Sequence, residues 1–344
     1  MPSIVRLFAV VALLVFALAA VLVGAPAAAQ PAVASPHAIE IPKWFTESFL
    51  DFRDDVRDAA RDGKRVMVYF GQDGCPYCKA LMQVDFGTPD IVEKTRRHFV
   101  AIALNIRGDR EVTWTDGRAM SEKALARALG VQYTPTLLFL DENGKVALRL
   151  NGYHPPASFR VALDYASLRA PAESFTEYLD RHKPREAAAG EAGAALVSAE
   201  PDLPRLLAAG KPVMVLYEYD GCRDCAEMRR EGFARPEVRA LLDRFAVVRL
   251  DLAGKRKVVT PEGRESDERR WARALQVAYA PTMVFLDAGG REVFRSEGYL
   301  KPFHLASTLD YVASGAYRGE ADFQRYLQAR GERVRAAGGE ARLW

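Results

Sequence analysis

Only four cysteines occur in 344 residues, and they fall in two short pairs, Cys75 with Cys78 and Cys222 with Cys225. A scaffold held together by disulfides is thereby excluded, because such scaffolds are dense in cysteine and close long loops. Excess charge is also lacking: 48 Lys+Arg against 45 Asp+Glu leave a formal +3, too weak a field to gather nucleic acid or an anionic membrane surface. The five histidines, His37, His98, His154, His182 and His304, share no metal-ligand spacing and no paired position with the cysteines, so they read as surface or packing residues. Trp114 and Trp271 read as local packing, Lys79 as a solvated helix lysine, and Asp73 and Asp220 as either turn caps or acid–base groups. A Gly-rich phosphate loop and a Ser/His/Asp arrangement are both missing. Apolar residues, by contrast, make up 49% of the chain, enough to build real cores in about two or three domains and to exclude overall disorder.

The one long apolar run lies at the amino terminus. Arg6 precedes small and apolar residues from Leu7 to Val23, and Ala27-Ala28-Ala29 follows. A basic residue, an apolar core and a small-residue cleavage site together predict a secretory signal peptide over 1–29. An uncleaved anchor helix is the alternative, since about 17 apolar residues is the lower limit for a span. Either way the folded part is expected outside the cytoplasm, in the periplasm or otherwise exported, where disulfides persist unless actively reduced.

The rest of the chain is written twice. Lys64 to Cys75 matches Lys211 to Cys222 at an offset of 147, and Tyr133-Thr134-Pro135-Thr136 matches Tyr279-Ala280-Pro281-Thr282 at 146. Between 126–153 and 272–299, 15 of 28 positions are identical, a duplication that defines the domains. The predicted boundaries are a first domain over 38–182, a linker over 183–200 rich in Ala, Gly and Glu, a second domain over 201–330 and a tail over 331–344. Each copy is expected to open with a helix (Phe49, Phe52, Val56 and Ala59 in the first), followed by a buried strand at Val66 to Phe70 or Val213 to Tyr217. The paired cysteines then lead into a polar helix that pauses near Pro89 or Pro236. A strand follows at Phe99 to Ile106 or Phe245 to Leu252, then a helix at Ala124 to Leu129 or Arg270 to Leu275. A hairpin turns at Asp141-Glu142-Asn143-Gly144 or Asp287-Ala288-Gly289-Gly290, and a last helix packs back at Ser158 to Leu168 or Phe303 to Val312. This order implies an α/β fold with a mixed sheet covered on both faces.

A CxxC directly after a buried strand and at the start of a helix places the first sulfur among unpaired backbone N–H groups, which favour a thiolate. The second cysteine lies on the same side and can close a small ring, as thiol–disulfide exchange requires. The pairs are separated by 143 intervening residues in separate repeats, whereas structural zinc sites separate theirs by about 12–20. No metal and no cofactor are therefore expected.

Strand, CxxC, helix, strand, helix and a Thr-Pro or Ala-Pro before a hairpin resemble the thioredoxin fold over both copies. The run Asp73-Gly74-Cys75-Pro76-Tyr77-Cys78-Lys79, the 117–130 stretch, Thr134-Pro135-Thr136 and Gly152-Tyr153 resemble the exported thioredoxins of sulfur-oxidation clusters (SoxW-like). The resemblance implies two tandem thioredoxin-like domains acting on protein thiols and disulfides, with a membrane electron donor as a possible further partner. It also implies cis bonds before Pro135 and Pro281, with Thr134, Pro135, Ala280 and Pro281 offering a backbone edge to substrate. Cys75 and Cys222 become the attacking thiols, Cys78 and Cys225 the resolving ones. The copies depart from thioredoxins proper, which carry Trp before the first cysteine and an acid in the preceding strand: those places hold Gly74 and Tyr69, then Gly221 and Leu216. Two other readings stay open: a peptide-binding module with only the first CxxC active, and an internal relay between the two pairs.

Overall fold

In the computed structural model, residues 38–182 and 198–338 are described. The expected signal peptide, the linker up to residue 197 and the last residues of the tail lie outside them. Among the described residues no helix is long and apolar enough to cross a membrane.

The first copy runs α1 (Phe52–Arg61), β1 (Arg65–Gly71), α2 (Pro76–Ala80), a π-helical turn (Leu81–Asp85), α3 (Pro89–His98), β2 (Phe99–Asn105), β3 (Glu111–Thr113), β4 (Ala119–Ser121), α4 (Glu122–Ala128), β5 (Thr136–Leu140), β6 (Val146–Asn151), α5 (Pro156–Ser167) and α6 (Phe175–His182). The second repeats it as α7 (Leu203–Ala208), β7 (Val213–Glu218), α8 (Arg223–Glu227), a π-helical turn (Met228–Phe233), α9 (Pro236–Leu242), β8 (Ala246–Asp251), β9 (Lys257–Val259), β10 (Glu265–Asp267), α10 (Glu268–Ala274), β11 (Thr282–Leu286), β12 (Glu292–Glu297), α11 (Pro302–Ala313) and α12 (Phe323–Ala336). Helix α12 continues past the boundary drawn at residue 330.

Each copy has a four-stranded sheet, ordered β2-β1-β5-β6 and β8-β7-β11-β12. The first two strands of each order pair in parallel and the others antiparallel. Every residue of β1 and β7 is buried, as a central strand covered on both faces demands. Alternation sends Met67 and Tyr69 into one core layer and Val66, Val68 and Phe70 into the other. The short hairpins β3/β4 and β9/β10 are absent from the sequence reading, because three-residue strands carry too few alternations to register. Phe49 lies before α1 and is fully exposed, so the apolar spacing that placed it on that helix overreached. Trp114 and Trp271 are buried against Phe52 and Tyr217.

The two repeats form one compact unit, joined by a reciprocal exchange. Tyr279, from the second copy, belongs to the first copy's core and packs on His154 and Phe175 with centroids 4.2 and 5.3 Å apart. Tyr133, from the first, packs on Phe294 and Phe323 of the second at 5.6 and 5.3 Å. The edges of β6 and β12 also meet, where Asn151 Nδ2 donates to Glu297 Oε2 at 3.0 Å. A Cβ at Gly152 would stand 3.2 Å from the Glu297 carbonyl, and one at Gly298 3.4 Å from that of Tyr153. Both glycines have left-handed φ, +79° and +84°, so the close approach and the turn each call for glycine.

Truncating a buried aromatic typically costs about 3–5 kcal/mol. Tyr133→Ala and Tyr279→Ala are each expected to lower unfolding stability by about that amount, whereas Phe49→Ala should stay within about 0.5 kcal/mol. Urea denaturation of the three variants checks this.

Candidate active site

Cys75 caps the N-terminus of α2, and its Sγ accepts from the Cys78 N–H at 3.0 Å. Cys222 caps α8 in the same way, accepting from the Cys225 N–H at 3.1 Å. Both pairs are disulfides, Cys75 with Cys78 and Cys222 with Cys225. Cys78 and Cys225 are wholly covered, and Cys75 and Cys222 nearly so. In the reduced state the same N–H groups and the helix dipole would stabilise a thiolate at Cys75 and Cys222.

The Thr134–Pro135 and Ala280–Pro281 bonds are both cis. Thr134 O lies 3.3 Å from Cys75 Sγ, and the Thr134 hydroxyl donates to that sulfur at 3.4 Å while accepting from Gln72 Nε2 at 3.2 Å. Ala280 has no hydroxyl to offer Cys222. In each copy a glycine N–H, of Gly152 or Gly298, donates to the proline carbonyl of its own loop at 2.8 Å, tying the Gly-Tyr turn to the active-site loop.

The surroundings of the two pairs differ. The Tyr77 hydroxyl of the first dipeptide accepts from the Lys301 N–H of the second copy at 2.8 Å, and its ring meets His304 at 5.2 Å. Burial raises the pKa of the Tyr153 phenol, and Asp85 and, across the interface, the Asp224 carboxylate of the second dipeptide add to it. Glu218 is buried and forms ion pairs with Arg229 and with Arg249 Nη2 at 2.7 Å, where the first copy has Gly71. Lys79 is exposed, as expected. Asp73 accepts from the Ile39 N–H at 3.1 Å, which gives it a structural contact. Among the described residues no group of three or more His, Cys, Asp or Glu is placed to hold a metal ion.

Sequence reasoning missed two residues. The strand position that holds the acid in thioredoxins proper is Tyr69, yet an acid, Asp85, is buried at the end of the π-helical turn after α2. Asp85 is fully covered, and neither carboxyl oxygen has a hydrogen bond of good geometry. Burial pushes its pKa from 3.8 to about 7, only partly offset by the Tyr153 hydroxyl and Arg160. A signal existed: Cys78, Met82 and Asp85 share one helical stripe, so a carboxyl there faces inward. The second is His304. The sequence pattern gives it, like His154, only a surface or packing role with no tie to the cysteines. Both are buried, and burial lowers both imidazoles to about 4, but His304 also lines the cleft beside Cys75.

Thr134→Ala removes a donor to Cys75, so iodoacetamide alkylation of the reduced protein at pH 7 should slow by about threefold to tenfold at that cysteine. Cys222, whose copy has Ala280 at the position matching Thr134, should be unaffected, and peptide mapping separates the two. Asp85 titrates higher in the folded chain than in the unfolded one, so its contribution to stability is present below about pH 4 and is lost as pH rises to about 7. Asp85→Asn should therefore match the parent at pH 4 and exceed it by about 1–4 kcal/mol at pH 8, as read by urea denaturation.

A sequence profile described as a Thioredoxin-like domain matches residues 52–167 and again 200–313. No curated protein matches the chain. Among solved structures, a thioredoxin-fold protein from Helicobacter pylori is similar at 25% identity and a TM-score of 0.31, with 39% of this chain and 93% of that one covered. A thioredoxin from Thermus thermophilus is similar at 26% identity and a TM-score of 0.29, covering 36% and 88%. A DsbH oxidoreductase gives 19% identity and a TM-score of 0.26, covering 38% and 91%. The chain belongs to the thioredoxin-like family, carries the domain twice in tandem, and keeps in each copy the paired cysteines of a thiol–disulfide oxidoreductase.

Proposed function

We propose that this chain is an exported oxidoreductase that works in the reductive direction on protein disulfides, with Cys75 as the principal nucleophile. The observation that carries the reading is the setting of Cys75: its sulfur caps a helix, takes a hydrogen bond from Thr134 and borders an open cleft. In the reduced protein, the Cys75 thiolate attacks one sulfur of the partner's disulfide. That S–S bond breaks, a Cys75–partner disulfide forms, and the departing partner thiolate takes a proton from solvent. Cys78 then loses its proton and attacks Cys75 Sγ, which releases the second partner thiol and leaves the Cys75–Cys78 disulfide. Two electrons have passed to the partner.

Thr134 and Pro135 would supply the backbone edge beside the bound segment, and Ala280 and Pro281 would do so in the second copy. A dithiol donor must restore the pair after each turnover. The signal-peptide pattern at the amino terminus favours a membrane-embedded donor facing the periplasm, and the likeness of the Asp73–Lys79 run to SoxW-like proteins favours the reductive direction.

A second reading assigns redox work to the first copy alone and partner binding to the second. It is supported by Ala280, which leaves Cys222 without the hydroxyl that Cys75 receives. Insulin reduction separates the outcomes. Cys75→Ser should lower the rate by about a hundredfold or more, and Cys78→Ser should accumulate a partner mixed disulfide. Cys222→Ser tests the second copy: a loss as large as that of Cys75→Ser means that both pairs act, and a small loss assigns chemistry to the first. Unchanged rates in both Cys75→Ser and Cys222→Ser would overturn the oxidoreductase reading.

A further inference from the structure

The cleft beside Cys75 has a volume of about 270 Å³ and is lined by both repeats. One wall comes from the first copy, including Thr134 and Tyr153, and the facing wall from the second, including Tyr299, Leu300, His304 and Gln328. This is just under the lower end for small-ligand sites, about 300–1,000 Å³, and the Cys75 residue that it borders is only 5% exposed. Within it, His304 is more than nine-tenths buried, and its Nδ1 has no hydrogen-bond partner. An unpaired buried polar atom carries a cost that a bound group would relieve. The ring is held in place by its edge contact with Tyr77, and Tyr77 is fixed in turn by the Lys301 N–H.

We propose that the second repeat is the specificity wall of the first repeat's site: the Cys75 cleft admits a cysteine only on a narrow, extended peptide segment, and His304 hydrogen-bonds that segment next to the reacting sulfur. The inference rests on the oxidoreductase reading above and names its substrate class. The neutral imidazole serves a main-chain N–H or C=O through whichever tautomer fits. Tyr299 and Leu300 supply apolar cover for a flanking side chain, and exposed Gln328 stands at the rim. The electron and proton traffic is that already given, with the peptide's disulfide reduced to two thiols and Cys75–Cys78 oxidised.

The test uses the full chain carrying Cys222→Ser and Cys225→Ser, reduced and freed of reductant, in single turnover. The probes are the disulfide-linked dimer of a short unstructured cysteine peptide, the solvent-exposed disulfide of a folded protein, and bis(2-hydroxyethyl) disulfide, which is too small to need the wall. The peptide dimer should react about tenfold or more faster than the folded-protein disulfide. Gln328→Trp, which narrows the rim from an exposed position, should slow the peptide about tenfold while leaving the hydroxyethyl disulfide within about twofold. His304→Ala should raise the half-saturating peptide concentration about fivefold, the worth of one hydrogen bond, at an unchanged limiting rate. Equal rates for the peptide dimer and the folded protein, or parental peptide kinetics in both variants, would overturn the specificity wall while leaving the oxidoreductase reading intact. Failure of the parent to reduce all three probes would overturn that reading and the wall with it.

Discussion

Everything distinctive about this molecule follows from two tyrosine rings that each sit in the other repeat. Tyr133 and Tyr279 precede the two active-site prolines, so the same short segments that border the sulfurs also dock the repeats. A buried aromatic ring removes about 150–250 Å² from water, and two of them make a far stronger joint than the polar contacts around them, such as Asn151 with Glu297 or Arg273 with Glu177. The joint leaves Gly152 and Gly298 against each other's loops, in left-handed turns that favour glycine. Cys75 therefore borders a cleft lined by both repeats.

Docking also lets the two copies diverge. The first has a hydroxyl beside Cys75 and a cleft whose far wall comes from the second copy. The second has Ala280 in that place, and the buried Glu218 with two arginines beneath its strand. The acids behind the two Gly-Tyr turns differ as well. Asp85 is buried and held near neutrality opposite Tyr153, whereas Glu231, which accepts from Tyr299 at 3.3 Å, is exposed to solvent. A duplicated frame with one well-equipped sulfur pair and one altered pair has room for a division of labour between chemistry and recognition.

Much of this was legible in the residues themselves. The duplication set the two units, short continuous apolar runs marked β1 and β7, and the turn clusters at 141–144 and 287–290 marked the hairpins, because each is a local pattern with a local cause. The paired cysteines gave the chemistry, since the spacing and the preceding strand alone fix the sulfur at a helix start. Asp85 lay on an apolar stripe and could have been read as buried. His304 could not: it is 229 positions from Cys75, and its place in the cleft depends on how the repeats dock, for which no periodicity exists. The tyrosine exchange was hidden for the same reason. Aromatic residues before a proline look the same in sequence whether they serve their own core or a neighbour's.

Docking through the two tyrosines requires the repeats to unfold as one cooperative body. The most direct measurement is urea unfolding of two full-length variants that keep Trp114 or Trp271 as their only tryptophan, followed by fluorescence alongside the alkylation rate of Cys75 after reduction. Coincident transitions for both tryptophans and for cysteine exposure are the predicted result. Unfolding of the second repeat at a lower urea concentration, with the first repeat and its cysteine reactivity unchanged, would contradict it.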